Sequence, residues 1–152
     1  LKQNFKAEKP SEKWVGDITY IYTKETGWTY LAMVIHAFAK AKSKRGITEN
    51  MIFHSDLGSQ YTSNEYEKLL TENKVKHSYS KKGYPYDNAS MESFNAILKK
   101  EEVNVNTYTT FKEARLAIFE FIESWYNNTR IHGSLGYKTP NQKYDEYIKN
   151  IA

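Results

Sequence analysis

Cysteine is absent from the chain, which excludes disulfides, zinc–thiolate sites and thiol nucleophiles. No apolar run approaches the ~18 residues of a membrane span. The opening Leu1-Lys2-Gln3-Asn4 lacks the apolar segment of a signal peptide, so a soluble cytoplasmic protein with no membrane partner is the expectation. Internal repeats and low-complexity tracts are also missing from the 152 residues, a length that suits one domain with its own core. Charge of one sign is scarce: 22 basic against 18 acidic residues leave +4. That balance permits a polyanionic partner without requiring one. Aromatics, by contrast, are plentiful (thirteen Tyr, seven Phe, three Trp), which argues for a folded chain.

Along the chain, residues 1–13 are polar and lysine-rich, a tail or linker end that Pro10 keeps irregular. Trp14–Tyr22 is β-branched and aromatic and predicts a strand with Asp17 near its middle. After the turn residues 24–27, the apolar run Trp28–Phe38 predicts a second, buried strand paired with the first as a hairpin. Residues 39–50 read as a basic loop, and Met51–Ser55 as a third strand ending in His54-Ser55-Asp56. Thr62 and Glu65 form a capping-box pattern ahead of a helix that ends near Asn73. Val75–Ser80 predicts a short fourth strand, followed by the basic, aromatic loop Lys81–Tyr86.

Asn88 suits the cap of a helix that buries Met91, Phe94 and Leu98 and turns Glu92 and Lys99 outward. Thr110 and Glu113 start a long amphipathic helix through Trp125. Beyond Asn127 the chain is polar and turn-rich, with a short helix near Tyr144–Ile148. Strands first, then helices, with one strand–helix–strand unit, indicate an α/β layer with a mixed sheet.

Three acids stand out. Asp is depleted in strands and costly when buried unpaired, which singles out Asp17, although an edge-strand or cap contact would also explain it. Glu92 alone is unremarkable, because a helix's first turn favours an acid. Brought together with Asp56, the acids would repel by roughly 4 kcal/mol per pair at ~4 Å and need a cation. All-oxygen ligands without cysteine point to Mg²⁺ or Mn²⁺, and two such ions would serve a displacement at a phosphodiester. Lys81, Lys82 and Lys99 suit phosphate contacts, and Tyr84 and Tyr86 base stacking; a solvated surface and core packing are the bland alternatives. His54 reads as a packing or hydrogen-bonding residue rather than a ligand.

These residues carry a resemblance. Residues 14–20 (WVGDITY), 54–61 (HSDLGSQY) and 86–94 (YDNASMESF) are similar to the catalytic core of bacterial insertion-sequence transposases, of the DDE group and the retroviral-integrase superfamily. Residues 125–128 (WYNN) and 130–140 (RIHGSLGYKTP) resemble the same family's C-terminal signature. The 35 residues between Asp56 and Glu92 are the family's own interval. The resemblance implies a ribonuclease H-like fold with a core over residues 14–129 and a C-terminal extension over 130–152. It implies Asp17, Asp56 and Glu92 as catalytic metal ligands, Lys99 as a DNA contact, and homo-oligomers acting on insertion-sequence ends and target DNA. The reaction implied is cleavage that frees a 3′-hydroxyl, which then attacks the target.

One departure is large. Only 38 residues separate Asp17 from Asp56, where the family has a longer interval, so one edge strand and one helix are expected to be missing. Roughly ten residues reach ~33 Å, enough to cross the ~10 Å between the affected strands. The expected cost is exposure of apolar residues such as Leu31, Met33 and Ile35, with self-association through that face. An intact mass near 17.8 kDa separates a true deletion from an omitted segment. No helix-turn-helix pattern precedes Pro10, so end recognition is expected elsewhere in the natural protein. The alternatives are a catalytically impaired DNA-binding or oligomerising remnant, and a general nuclease of the same fold.

Overall fold

The computed structural model describes residues 4–30, 34–81 and 85–151. The chain divides into two compact units, Leu1–Tyr20 with Tyr30–Ala96, and Ile21–Thr29 with Ile97–Ala152.

The first unit is built on three parallel strands in the order β1-β4-β5: β1 Lys13–Val15, β4 Ile52–Ser55 and β5 Lys76–Tyr79. β4 is the central strand, and Phe53, His54 and Ser55 are buried on it whichever face they take, as expected for a covered parallel sheet. Register pairs Trp14 with Phe53 and Val15 with His54 on one side, and Phe53 with His77 and Ser55 with Tyr79 on the other. Phe53, Tyr61, Tyr66, Leu70, Val75, Met51 and Phe38 form the core, much of it edge-to-face aromatic contact.

The expected strand over Trp14–Tyr22 is broken. β1 stops at Val15 and β2 (Tyr20–Thr23) begins after four intervening residues, so Asp17 lies just past a strand end rather than within a strand. The break follows Gly16, whose nitrogen still donates to His54 O at 2.8 Å and where a Cβ would lie 2.5 Å from Phe53 Cζ, so only glycine fits.

The second expected strand is also corrected. β3 ends at Tyr30 (Gly27–Tyr30), and a helix, α1, runs over Val34–Arg45, where strand and loop were expected. Its last turn carries Lys42, Lys44 and Arg45, favourable at the negative helix end, and Gly46 closes it at φ +72°. Phe38 anchors α1 through rings of Trp14, Phe53 and Tyr66. A helix therefore does precede β4, contrary to the expected loss of one. Leu31 and Met33 lie outside the described residues, as does the Ile35 side chain.

The helix between β4 and β5, α2 (Asn64–Glu72), is capped by Ser63, whose Oγ accepts from Tyr66 N, and not by the neighbouring Thr62. It ends in a Schellman motif: Val75 N donates to Leu70 O and Lys74 N to Thr71 O, with Lys74 at φ +56°. After β5 the chain makes a 3₁₀ turn, Pro85–Asn88, and enters α3, Ala89–Leu98. Asn88 does not cap α3 as expected: its Oδ1 is buried without a partner among the described residues, while its Nδ2 donates to Gly16 O.

In the second unit, β2 and β3 pair around a tight turn closed by Gly27 at φ +71°. Lys24 N and Glu25 N donate to the carbonyls of Tyr108 and Thr109. The expected helix after Thr110 is present as α4 (Phe111–Glu120), which widens into a π-helical stretch over Phe121–Tyr126. Thr110 Oγ1 accepts from Glu113 N, and Ala114, Ile118 and Phe121 are buried. Arg130 bridges Glu101 at 3.4 Å and lies over the Trp125 and Tyr126 rings. The last helix, α5 (Pro140–Ile151), is longer than expected and starts with a reciprocal capping box between Thr139 and Gln142. No helix among the described residues is long and apolar enough to cross a membrane.

Candidate active site

Two neighbouring parallel strands deliver two aspartates. Val15 pairs with His54 and Gly16 N still bonds to His54 O, so Asp17 and Asp56, each two residues beyond that pair, both follow their strands' carboxyl ends. In open α/β sheets that edge is where ligands bind. Asp56 is fixed by an Asx turn, its Oδ1 accepting from Gly58 N at 3.0 Å. Asp17 Oδ1 accepts from Ile18 N at 2.8 Å, and Oδ2 from the Asn95 side chain at 2.9 Å.

Burial raises the Asp17 carboxyl above the ordinary aspartate value, and repulsion from Asp56 and then from Glu92 adds to it. The bonds from Ile18 and Asn95 act in the opposite sense. All three predicted acids thus share one electrostatic neighbourhood within the first unit. Glu92 is exposed in the first turn of α3, and Asn95, one turn later, turns that helix face toward Asp17. Among the described residues, no three of His, Asp and Glu stand close enough to hold one ion. Tyr61 packs against the same spot. Burial pushes its phenol well up, with Asp17 and Asp56 adding to the shift.

His54 is a hydrogen-bonding residue. Nδ1 contacts Ser78 Oγ at 2.9 Å, and Nε2 contacts Asp87 O at 2.7 Å and Ser80 Oγ at 3.1 Å. Burial lowers its pKa, which favours the neutral ring. Lys81 N donates to Asp87 Oδ2, so both ends of the 81–87 loop are pinned at the sheet ahead of α3. Lys82 and Tyr84 lie outside the described residues, as does the Tyr86 side chain. Lys81 is exposed at the loop's start, and Lys99 is exposed in the second unit, opening a π-helical turn over Lys99–Val103.

Sequence reasoning passed over Asn95, whose spacing from Glu92 on one helix was the available signal. It also passed over a chain behind Asp56 made of Ser55, His77 and Glu67, visible only once strand register is known.

Two sequence profiles, both described as the integrase core domain, match residues 33–85 and 73–140. The transposase for insertion sequence element IS904 of Lactococcus lactis subsp. lactis (strain IL1403) is 40% identical over 97% of this chain and 66% of its own length. Transposase InsF for insertion sequence IS3A of Escherichia coli (strain K12) is 35% identical over 174 aligned positions, covering all of this chain and 59% of that protein. The chain thus spans about three fifths to two thirds of the curated relatives it matches. Among solved structures, the catalytic core domain of HTLV-2 integrase in complex with magnesium (dimeric form) superposes with a TM-score of 0.60 at 19% identity. That match covers 91% of this chain and 99% of that one. The BIV integrase core gives 0.62 at 17% identity over 92% and 97%. With the parallel strands and their paired aspartates, these matches make the chain a member of the integrase-core family, of the insertion-sequence transposase type.

Proposed function

We propose that the chain is the catalytic core of an insertion-sequence transposase, cutting and joining DNA with divalent metal ions. The observation that carries this reading is geometric: Asp17 and Asp56 follow the carboxyl ends of neighbouring parallel strands, and Asn95, one turn after Glu92 on α3, donates to Asp17 Oδ2 at 2.9 Å. The donor chemistry suits a hard cation, since every donor is a carboxylate oxygen and a cation offsets the repulsion among them, although the three acids do not stand close enough to share one ion and Glu92 would have to be drawn in. Asp17, Asp56 and Glu92 would hold Mg²⁺ or Mn²⁺, and two such ions would activate a hydroxyl and stabilise the leaving oxygen at phosphorus. The magnesium in the HTLV-2 integrase core supports that metal. The dimeric and trimeric forms of that domain, and the simian T-cell lymphotropic virus intasome that shares the fold, support a homo-oligomer.

The chain's own residues supply positioning. Gly58 N–H and Ile18 N–H hold the two aspartates, Asn95 ties α3 to Asp17, and His54 secures the segment leading to α3. Lys81, Lys82 and Lys99 are assigned to phosphates, and Tyr84 and Tyr86 to bases, of the insertion-sequence ends and target. The test is nicking and joining of terminal-repeat DNA in Mg²⁺ or Mn²⁺. Asp56→Ala and Glu92→Ala abolish both steps under this reading, and retained activity would reject the site. Cutting of any duplex without joining would indicate a general nuclease instead.

A second reading rests on the alignment with InsF, which runs to 174 positions against 152 residues, a difference of 22. A chain shortened by that much would be an inactive remnant that binds DNA or oligomerises. DNA binding without Mn²⁺ binding or nicking would favour the remnant.

A further inference from the structure

Behind Asp56 runs a line of polar side chains that no step above has used. Glu67 on α2 places Oε1 2.7 Å from His77 Nδ1 on β5. The other ring nitrogen, Nε2, lies 3.0 Å from Ser55 Oγ, and that hydroxyl donates to Asp56 O at 2.9 Å. Tyr79 OH donates to the same Glu67 oxygen. The Tyr79 bond first, and then His77, hold the Glu67 carboxyl below its ordinary value, so Glu67 is an ionised acceptor near neutrality. The His77 side chain is only 6% exposed, against 41% for Glu67, and Ser55 is fully buried. The line therefore starts at the surface and ends, along one face of the sheet, on the backbone of Asp56.

The placement follows from register. Phe53 pairs with His77 and Ser55 with Tyr79, so all four share the sheet face that α2 covers. Rings of Phe53 and Tyr66 enclose the imidazole at 5.5 and 5.9 Å. The proton inventory is tight. With Glu67 ionised, Nδ1 must donate to it. The single Ser55 hydroxyl proton goes to the Asp56 carbonyl, so the line is continuous only where the ring also donates, from Nε2 to Ser55 Oγ. A ring accepting at Nε2 would take that proton and break the bond to Asp56.

We propose that His77, oriented by Glu67, is a positioning residue that acts through Ser55 to fix the turn carrying Asp56. The carbonyl of Asp56 sets the backbone from which its carboxylate and the Gly58 contact depart, so a ring two strand positions away governs where a ligand oxygen points. The role in metal binding rests on the reading proposed above; the fixing of the turn does not.

The experiment uses the full chain in two measurements. Amide exchange at Gly58, followed by NMR without metal, reports the Asp56 turn directly. Mn²⁺ affinity, from electron paramagnetic resonance, reports its consequence. His77→Phe fills the aromatic pocket but frees Ser55. It is expected to speed Gly58 exchange about tenfold and weaken Mn²⁺ binding about tenfold, the size typical of groups that orient a ligand. Glu67→Ala, at the exposed end, should shift both in the same direction, and Glu67→Gln, which keeps an acceptor, should restore them. Exchange at Leu70 should stay unchanged in all three, which separates positioning from general loosening. Wild-type Gly58 exchange in His77→Phe and Glu67→Ala would overturn the inference. Mn²⁺ binding unaffected by Asp56→Asn would instead overturn the metal reading, leaving the exchange result to decide this one.

Discussion

Asn95 donates from its side-chain nitrogen to Asp17 Oδ2 at 2.9 Å, joining α3 to the end of β1 across 78 positions of sequence. The bond favours the ionised carboxylate and so lowers a pKa that burial and the two other acids raise. Asn95→Ala removes that donor, and the Asp17 pKa should move up further, read by NMR titration of its carboxyl carbon. If ionised Asp17 is required for nicking, the acid limb of the pH–rate profile should move to higher pH by the same amount. An unmoved titration would show that the contact is absent in solution.

Asp17 also links pH to stability. Its folded pKa lies above the unfolded value, so the folded chain holds the proton more tightly. Without metal, stability should fall as pH rises through the folded pKa, and the penalty should be absent below the unfolded value. Asp17→Asn is therefore expected to raise Tm at pH 7 in a chelator. The gain should vanish under acid conditions, where both forms are neutral. Asn95 can turn its amide to present oxygen to the new side chain, so the contact survives the change.

Gly16 has no room for a side chain. A Cβ would meet Phe53 Cζ at 2.5 Å, and that ring is held by Phe38, Tyr61, Tyr66 and His77. Gly16→Ala should cost about 1–3 kcal/mol in urea denaturation, the usual range for overpacking. It should also displace Asp17 and reduce Mn²⁺ binding, whereas Gly133→Ala meets no atom within 4 Å and leaves binding intact.

Tyr66 buries its hydroxyl without a hydrogen-bond partner among the described residues. An unsatisfied buried polar group costs about 1–3 kcal/mol. Tyr66→Phe keeps the ring contacts with Phe38, Phe53 and Tyr61 and should stabilise the chain by about 1 kcal/mol in the same assay. A loss of stability would mean that the hydroxyl has found a partner such as bound water.

Much of the first unit was legible because its signals are local. Met51–Ser55 is a short apolar run bounded by polar residues, and α2 shows two buried positions one turn apart, Tyr66 and Leu70. The region after Trp28 misled because Val34 and Ile35 extend a β-branched, apolar run. The opposing signs, three alanines among lysines, a basic last turn and Gly46, lie at the far end of α1. The lack of room for a Cβ at Gly16, beside Phe53, is a tertiary relation that no local pattern reports. The capping box at Thr139 was present in sequence and passed over, which left α5 too short.

The acids were legible as a strand end and a helix turn. Their partners were not, because Asn95, Ser55 and His77 gain meaning only from neighbours far along the chain.

The central claim is that Asp17, Asp56 and Glu92 hold divalent ions together. A crystal of the full chain soaked in Mn²⁺ tests it most directly, through the anomalous signal of the metal. The account predicts peaks in contact with Asp17 and Asp56, one of them reached by Glu92. Manganese bound elsewhere, with Asp17 still closed against Asn95 and no peak beside Asp56, would contradict it.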